Sequence, residues 1–169
     1  MDLKYIKFIQ NEEQEVRGFT RVPNMSYPGR KPKLVCGIVL SVSDSDLNFY
    51  VGLTSYKIQK SENILINVKG DSNPIKGSLR FNYMFPVPDK LLTPIKIEDE
   101  TDQFYKDLLT KEYRFIDKNK EIIRSKAKEV YTKITTDSCS ENLRNFSCDF
   151  KLLEKACIKY CKDHSISLP

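Results

Sequence analysis

Two apolar segments separated by four small polar residues restrict this chain more than any other feature. Residues 34–42, LVCGIVLSV, are almost unbroken apolar sequence, the pattern of a central strand covered on both faces. Residues 47–53 alternate instead, with Leu47, Phe49, Val51 and Leu53 set against Asn48, Tyr50 and Gly52, the pattern of a strand with one buried face. SDSD at 43–46 has turn composition, so the two segments predict an antiparallel hairpin.

The first 100 residues extend this β character. A strand is expected around Leu3–Ile9, with further short strands at Ile64–Val68 and Ser78–Phe85. KGDSNPIKG between the last two is a loop by composition, and Pro86 and Pro88 end the sheet. The period then becomes helical. Tyr105, Leu108, Leu109, Glu112, Phe115 and Ile116 share one stripe, with Thr101 or Asp102 as cap. Ile122, Ile123, Ala127, Val130, Tyr131 and Ile134 form a second stripe, and DFKLLEKACIKYC a third helix with Leu153, Ala156, Cys157, Tyr160 and Cys161 inward. TTDSCSENLRNFS joins the last two as a polar loop with room for one helical turn. The expected class is α+β: residues 1–169 as one domain, 1–100 a small, bent antiparallel sheet or SH3-like barrel and 101–169 helices packed on it.

Several function classes are excluded by what is missing. No apolar run approaches the length of a membrane span, and MDLKYIKFIQ is not a secretory leader, so a cytosolic location is the expectation. The five cysteines lack CxxC pairs and nearby histidines, which makes them small buried hydrophobes rather than zinc ligands. The single histidine, His164, lies at the C-terminal end, so paired imidazole catalysis is impossible. Phosphate-loop, GxGxxG, GxSxG and HExxH motifs are all absent. No metal and no cofactor is expected.

Hydroxyls and cations remain. Thr54, Ser55 and Lys57 follow the alternating strand, while Tyr27, Arg30, Lys31 and Lys33 precede its partner. A turn near 44–46 would set residue 33 or 34 opposite a residue near 56 and bring both groups to one sheet edge. Such a site suits RNA, whose 2′-hydroxyl supplies the nucleophile, so that the protein need only align groups, stabilise phosphoryl charge and move protons. The bland reading of LTSYK is a hydroxyl-capped turn with Lys57 solvated. Formal net charge is +5, and Lys118, Lys120, Arg124, Lys126 and Lys128 cluster against few acids. That cluster is either a polyanion-binding face or a solvated one.

KPKLVCGIVLSV followed by NFYVGLTSYK, then SLRFNYMFPVP, FYKDLLTKEYRFIDKNKEIIRSKAKEVY and CDFKLLEKAC, resembles the ToxN/AbiQ toxins of type III toxin–antitoxin systems, in the right order over nearly the whole chain. The resemblance implies a fold like the MazF/Kid toxins. It also implies a metal-independent endoribonuclease that leaves 2′,3′-cyclic phosphate and 5′-hydroxyl ends. Its partner would be a small structured antitoxin RNA, cut from a repeat array by the toxin and closed with it into a ring-like assembly, in abortive defence against phage. Matching the family's motif assigns Thr54, Ser55 and Lys57, with Lys33 before the apolar run and Tyr27 in the preceding loop, where Arg30 or Lys31 would share the work. Ser55 and Thr54 are then donors to the scissile phosphate, Lys57 its charge stabiliser, Lys33 the proton-transfer group and Tyr27 the group that orients the 2′-hydroxyl. The basic helix at 118–133, with Lys118, Lys120, Arg124, Lys126 and Lys128, becomes the candidate antitoxin-RNA surface. Two other readings compete: a non-catalytic RNA-binding barrel, and a MazF-type ribonuclease inhibited by a protein.

Overall fold

The computed structural model describes residues 1–29, 31, 33–37 and 47–168. The SDSD turn, the second half of the apolar run and Arg30 lie outside the described residues. The chain opens with helix α1, Leu3–Arg17, followed by strands β1, Val35–Gly37, β2, Phe49–Thr54, β3, Asn63–Asn67, β4, Ile75–Arg80, and β5, Phe85–Pro86. Helices α2, Gln103–Lys118, α3, Lys120–Thr135, α4, Glu141–Asn145, and α5, Phe150–Asp163, complete it. The antiparallel sheet runs β1-β2-β4-β3, with β5 also pairing β2. Among the described residues β1 pairs with β2 alone.

The strand expected at Leu3–Ile9 is a helix, which corrects the all-β reading of the first half. Buried Tyr5, Ile6, Ile9, Gln10 and Glu13 recur with helical spacing, a period invisible in a seven-residue window. The termini carry their own signals: the Asp2 carboxylate accepts from the Lys4 amide, and Gly18, at φ 75°, ends the helix in a left-handed conformation. The expected strand at Ser78–Phe85 is also broken. β4 starts earlier, at Ile75, and Phe81–Tyr83 form a single 3₁₀ turn before β5. The three C-terminal helical stripes stand as read, with Asp102 as the cap of α2. One exception is Ile122, 62% exposed, which sits beside the stripe that buries Ile123.

The core joins the two halves. Phe49 of β2 meets Tyr131 of α3 and Phe150 of α5 edge-on, at ring-centroid distances of 5.6 and 5.9 Å, while Tyr131 and Phe150 stack at 5.5 Å. Tyr5 of α1 packs against Tyr160 of α5 and donates its hydroxyl to the Pro86 carbonyl at 2.6 Å. Gly77 marks the tightest approach within the sheet: a Cβ there would stand 2.4 Å from the Thr54 carbonyl oxygen. Burial pushes the Cys36 thiol up to about 11 and the Cys157 thiol up to about 12. Both therefore pack as neutral hydrophobes rather than act as thiolates.

Glu13 is fully buried and carries five hydrogen bonds. Its carboxylate accepts from the Arg17 guanidinium at 2.7 Å, the Thr20 hydroxyl at 2.7 Å, and the amides of Arg21, Val22 and Asp149 at 2.6, 3.3 and 2.8 Å. Replacement by glutamine would leave the Arg17 charge uncompensated and turn an NH₂ toward amide donors. Glu13→Gln should therefore cost about 3–5 kcal/mol in urea unfolding. An unchanged midpoint would remove this carboxylate from its structural role.

Glu112 on α2 shows the opposite arrangement. It lines an apolar cleft with Leu53, Leu109 and Ile116, and desolvation pushes its carboxyl up to about 7. The folded state therefore holds a proton that the unfolded chain has released, and stability falls as pH rises from about 4.5 through 7. Glu112→Gln should stabilise the protein at pH 8 by about 1–2 kcal/mol, after allowance for partial exposure, and by little at pH 5. Equal effects at both pH values would contradict this.

Candidate active site

The hairpin register decides where the two polar clusters meet. Val35 pairs with Gly52 and Cys36 with Val51, and the Leu53 amide donates to the Leu34 carbonyl at 3.0 Å. Continuing that ladder sets Lys33 beside Thr54, two residues nearer the turn than the position near 56 read from sequence. The two strand ends do meet. The Lys33 amide also donates to the Met25 carbonyl at 2.9 Å, which brings the intervening loop back upon itself. Tyr27 thereby returns to Lys33, whose Nζ donates to the phenol oxygen at 3.4 Å and stands 5.0 Å from the ring centroid.

Tyr27, Lys33 and Thr54 line one cleft of about 280 Å³, with Gly52, Leu53, Thr20, Arg21, Pro23, Met25, Arg80 and Tyr83. The space beside Gly52 is open, since a Cβ there would meet nothing within 4 Å. A glycine in a strand interior leaves the backbone open to close approach by a ligand. The cations are Lys33, Arg21 and Arg80, and no carboxylate is among the lining residues. Such a cleft favours a polyanion.

Thr54 has two structural engagements. Its hydroxyl lies 3.3 Å from that of buried Ser78 and accepts from the Tyr56 amide at 3.3 Å, so it caps the turn as well as facing the cleft. Ser55 and Lys57 follow in that turn, both exposed, outside the lining residues and at the cleft's rim by chain position. Lys57 makes no ion pair among the described residues.

Arg80 and Tyr83 were not singled out by the sequence reading. The Arg80 guanidinium carbon stands 4.7 Å from the Tyr56 ring centroid and 4.3 Å from that of Tyr83, held flat between two phenols. A signal existed: Arg80 is the only cation in SLRFNYMFPVP. Thr20 and Arg21 had no comparable local signal, since their place depends on the Glu13 contacts.

Other predicted residues are drawn elsewhere. Lys31 pairs with Glu100 at 2.7 Å and stands 4.1 Å from the Tyr105 ring centroid. The hydrogen bond from Lys31 holds the Glu100 carboxyl below its usual range. Along the basic face, Lys120 pairs with Asp117 at 2.6 Å, Arg124 with Glu121 at 2.8 Å and Lys126 with Glu129 at 2.6 Å, all one helical turn apart. Lys118 and Lys128 are exposed and make no ion pair among the described residues. His164 stacks on Tyr160 at 3.9 Å, where α5 ends. Among the described residues no helix is long and apolar enough to cross a membrane.

The endoribonuclease ToxN of Bacillus thuringiensis subsp. kurstaki is 29% identical over 165 residues, covering 93% of this chain and 80% of that protein. The endoribonuclease AbiQ of Lactococcus lactis subsp. lactis is 30% identical over 138 residues, covering 75% of this chain and 72% of its own length. A solved structure of a type III toxin–antitoxin system, in which a non-coding RNA pseudoknot selectively inhibits the toxin, is 25% identical. It superposes with a TM-score of 0.77 over 95% of this chain and 94% of that one. The profile of the family described as toxin ToxN, type III toxin–antitoxin system, matches residues 1–158, and the chain belongs to that family.

Proposed function

We propose that this protein is an endoribonuclease toxin that cuts RNA without a metal and is held inactive by a small structured RNA. The observation that carries the reading is the cleft at the ends of β1 and β2. There Lys33, Tyr27, Thr54 and Arg80 surround an open strand floor at Gly52 with no carboxylate among them. In the step proposed, the substrate's 2′-oxygen bonds to the adjacent phosphorus as the bond to the 5′-oxygen breaks. One proton leaves the 2′-hydroxyl and another reaches the departing oxygen. Lys33 takes the proton-transfer role, and Tyr27 orients the 2′-hydroxyl. Ser55 and Thr54 donate to the phosphoryl oxygens, while Lys57 and Arg80 stabilise the charge that develops there. The products are a 2′,3′-cyclic phosphate and a 5′-hydroxyl.

The partner reading follows the relatives. AbiQ has a solved structure as a lactococcal anti-phage endoribonuclease of a type III system, and we assign this chain a like role in phage defence. It would mature its own antitoxin from repeat RNA and close with it into a ring-like assembly. The basic residues at the α2–α3 junction and along α3, exposed Lys118, Lys120, Arg124 and Lys128 and half-buried Lys126, are proposed to contact that RNA. The ion pairs that Lys120, Arg124 and Lys126 make are near the surface and weak enough to exchange for phosphates. Arg30 and Lys31 are proposed as further RNA contacts from the loop before β1. We also read residues 1–169 as one domain whose bent sheet is of the SH3-like, MazF/Kid type.

Ser55→Ala and Lys57→Ala should each lower single-turnover cleavage by about 10²–10³-fold. Addition of EDTA should leave the wild-type rate unchanged and the ends cyclic. Wild-type rates in both variants, or cleavage abolished by the chelator, would overturn the assignment. Reversing Lys120, Arg124 and Lys128 to glutamate should weaken antitoxin-RNA binding and flatten its salt dependence. A salt slope equal to wild type would exclude that face.

A further inference from the structure

Phe19, Arg21 and Phe146 form a ladder that the cleavage step leaves unused. The Arg21 guanidinium carbon stands 4.9 Å from the Phe19 ring centroid and 5.3 Å from that of Phe146. Its Nε donates to the Asn145 carbonyl at 2.8 Å. Arg17 lies on Phe19 as well, 4.4 Å from the ring centroid, and donates to the carbonyls of Ser147 and Arg144, each at 2.8 Å. Both guanidinium groups are thus fixed by main-chain acceptors, so their ordering cost is met before any ligand arrives. Phe146 nevertheless leaves 54% of its surface exposed. Buried Glu13 neutralises Arg17, whose side chain is only 11% exposed, so Arg21 is the cation the ladder offers to a ligand.

The ladder is continuous with the cleft, because Arg21 lines both. Flat apolar rings alternating with planar cations match one ligand chemistry in particular. Unpaired bases stack on aromatic faces, while the phosphates between them meet arginine. We infer that Phe19, Arg21 and Phe146 form the path along which single-stranded RNA leaves one side of the scissile phosphate, with Phe146 the base platform and Arg21 the phosphate contact. This rests on the cleavage reading and adds the face that carries the flanking nucleotides. The ladder lies on one side of the cleft, so it serves either the 5′ or the 3′ flank and not both.

The experiment uses a short oligoribonucleotide spanning a cut site mapped for the wild type, with a 2′-deoxy substitution at the scissile nucleotide to block cleavage. Binding is measured for this core and for versions extended by unpaired nucleotides at either end. Extension at one end should tighten wild-type binding by about fivefold or more. Phe146→Ala should abolish that gain while leaving affinity for the core unchanged, and Phe146→Tyr should restore it. If neither extension tightens binding, or if Phe146→Ala keeps the gain and only lowers thermal stability, the ladder is a structural pin and the inference fails. Absence of any RNA cleavage by the wild type would leave no cut site to map, and would defeat the functional reading and this inference with it.

Discussion

A carboxylate sealed from water cannot stay charged unless every side of it is met by a donor, and Glu13 obeys that demand by drawing three segments together. Arg17 comes from the next turn of α1, Thr20 and Arg21 from the loop behind it, and the Asp149 amide from the start of α5. Each partner is far less free than its sequence position implies. Thr20 and Arg21 go on to form one wall of the cleft. The site therefore inherits its shape from an interaction that touches no substrate.

The opposite wall depends on the sheet. β2 serves as the shared neighbour of β1, β4 and β5, so its end is crowded on both edges. Gly77 admits the Thr54 carbonyl where any side chain would collide, and the strand face at Gly52 opens onto the cleft. Thr54 occupies the point where these constraints meet. Its hydroxyl bonds to the turn and to Ser78, which argues for a positional contribution alongside any contact with phosphate. Arg80, gripped by Tyr56 and Tyr83, brings a permanent charge that needs no tuning. On the proposed mechanism a chain with one histidine suffices, because RNA provides its own nucleophile and the protein provides alignment and charge.

The basic face illustrates how composition misleads about electrostatics. A count of lysines and arginines between 118 and 128 shows a strong positive run, yet three of the five pair with acids one turn away. Net charge was readable; the local field was not. The reverse holds at the cleft, where three cations, Arg21, Lys33 and Arg80, gather from three separate stretches of chain with no acid among the described lining residues.

The amino-acid order alone determined the C-terminal helices, the pairing of β1 with β2 and the meeting of the two strand ends, because each depends on local period or on one short connection; the register that sets Lys33 beside Thr54, rather than near 56, did not follow from it. Amino-acid order also narrowed the candidate chemistry, since excluding imidazole and motif-based sites left hydroxyls, phenols and cations for the proposed mechanism. The tertiary structure decided the rest. α1 escaped a short-window reading because its buried face repeats over more residues than that window spans. Arg80, Tyr83 and Arg21 reach the cleft through a β2–β4 register and a buried carboxylate whose partners lie up to 136 positions apart. Contacts over such separations are fixed by packing and by the satisfaction of buried charge, and no periodicity in a linear sequence records them.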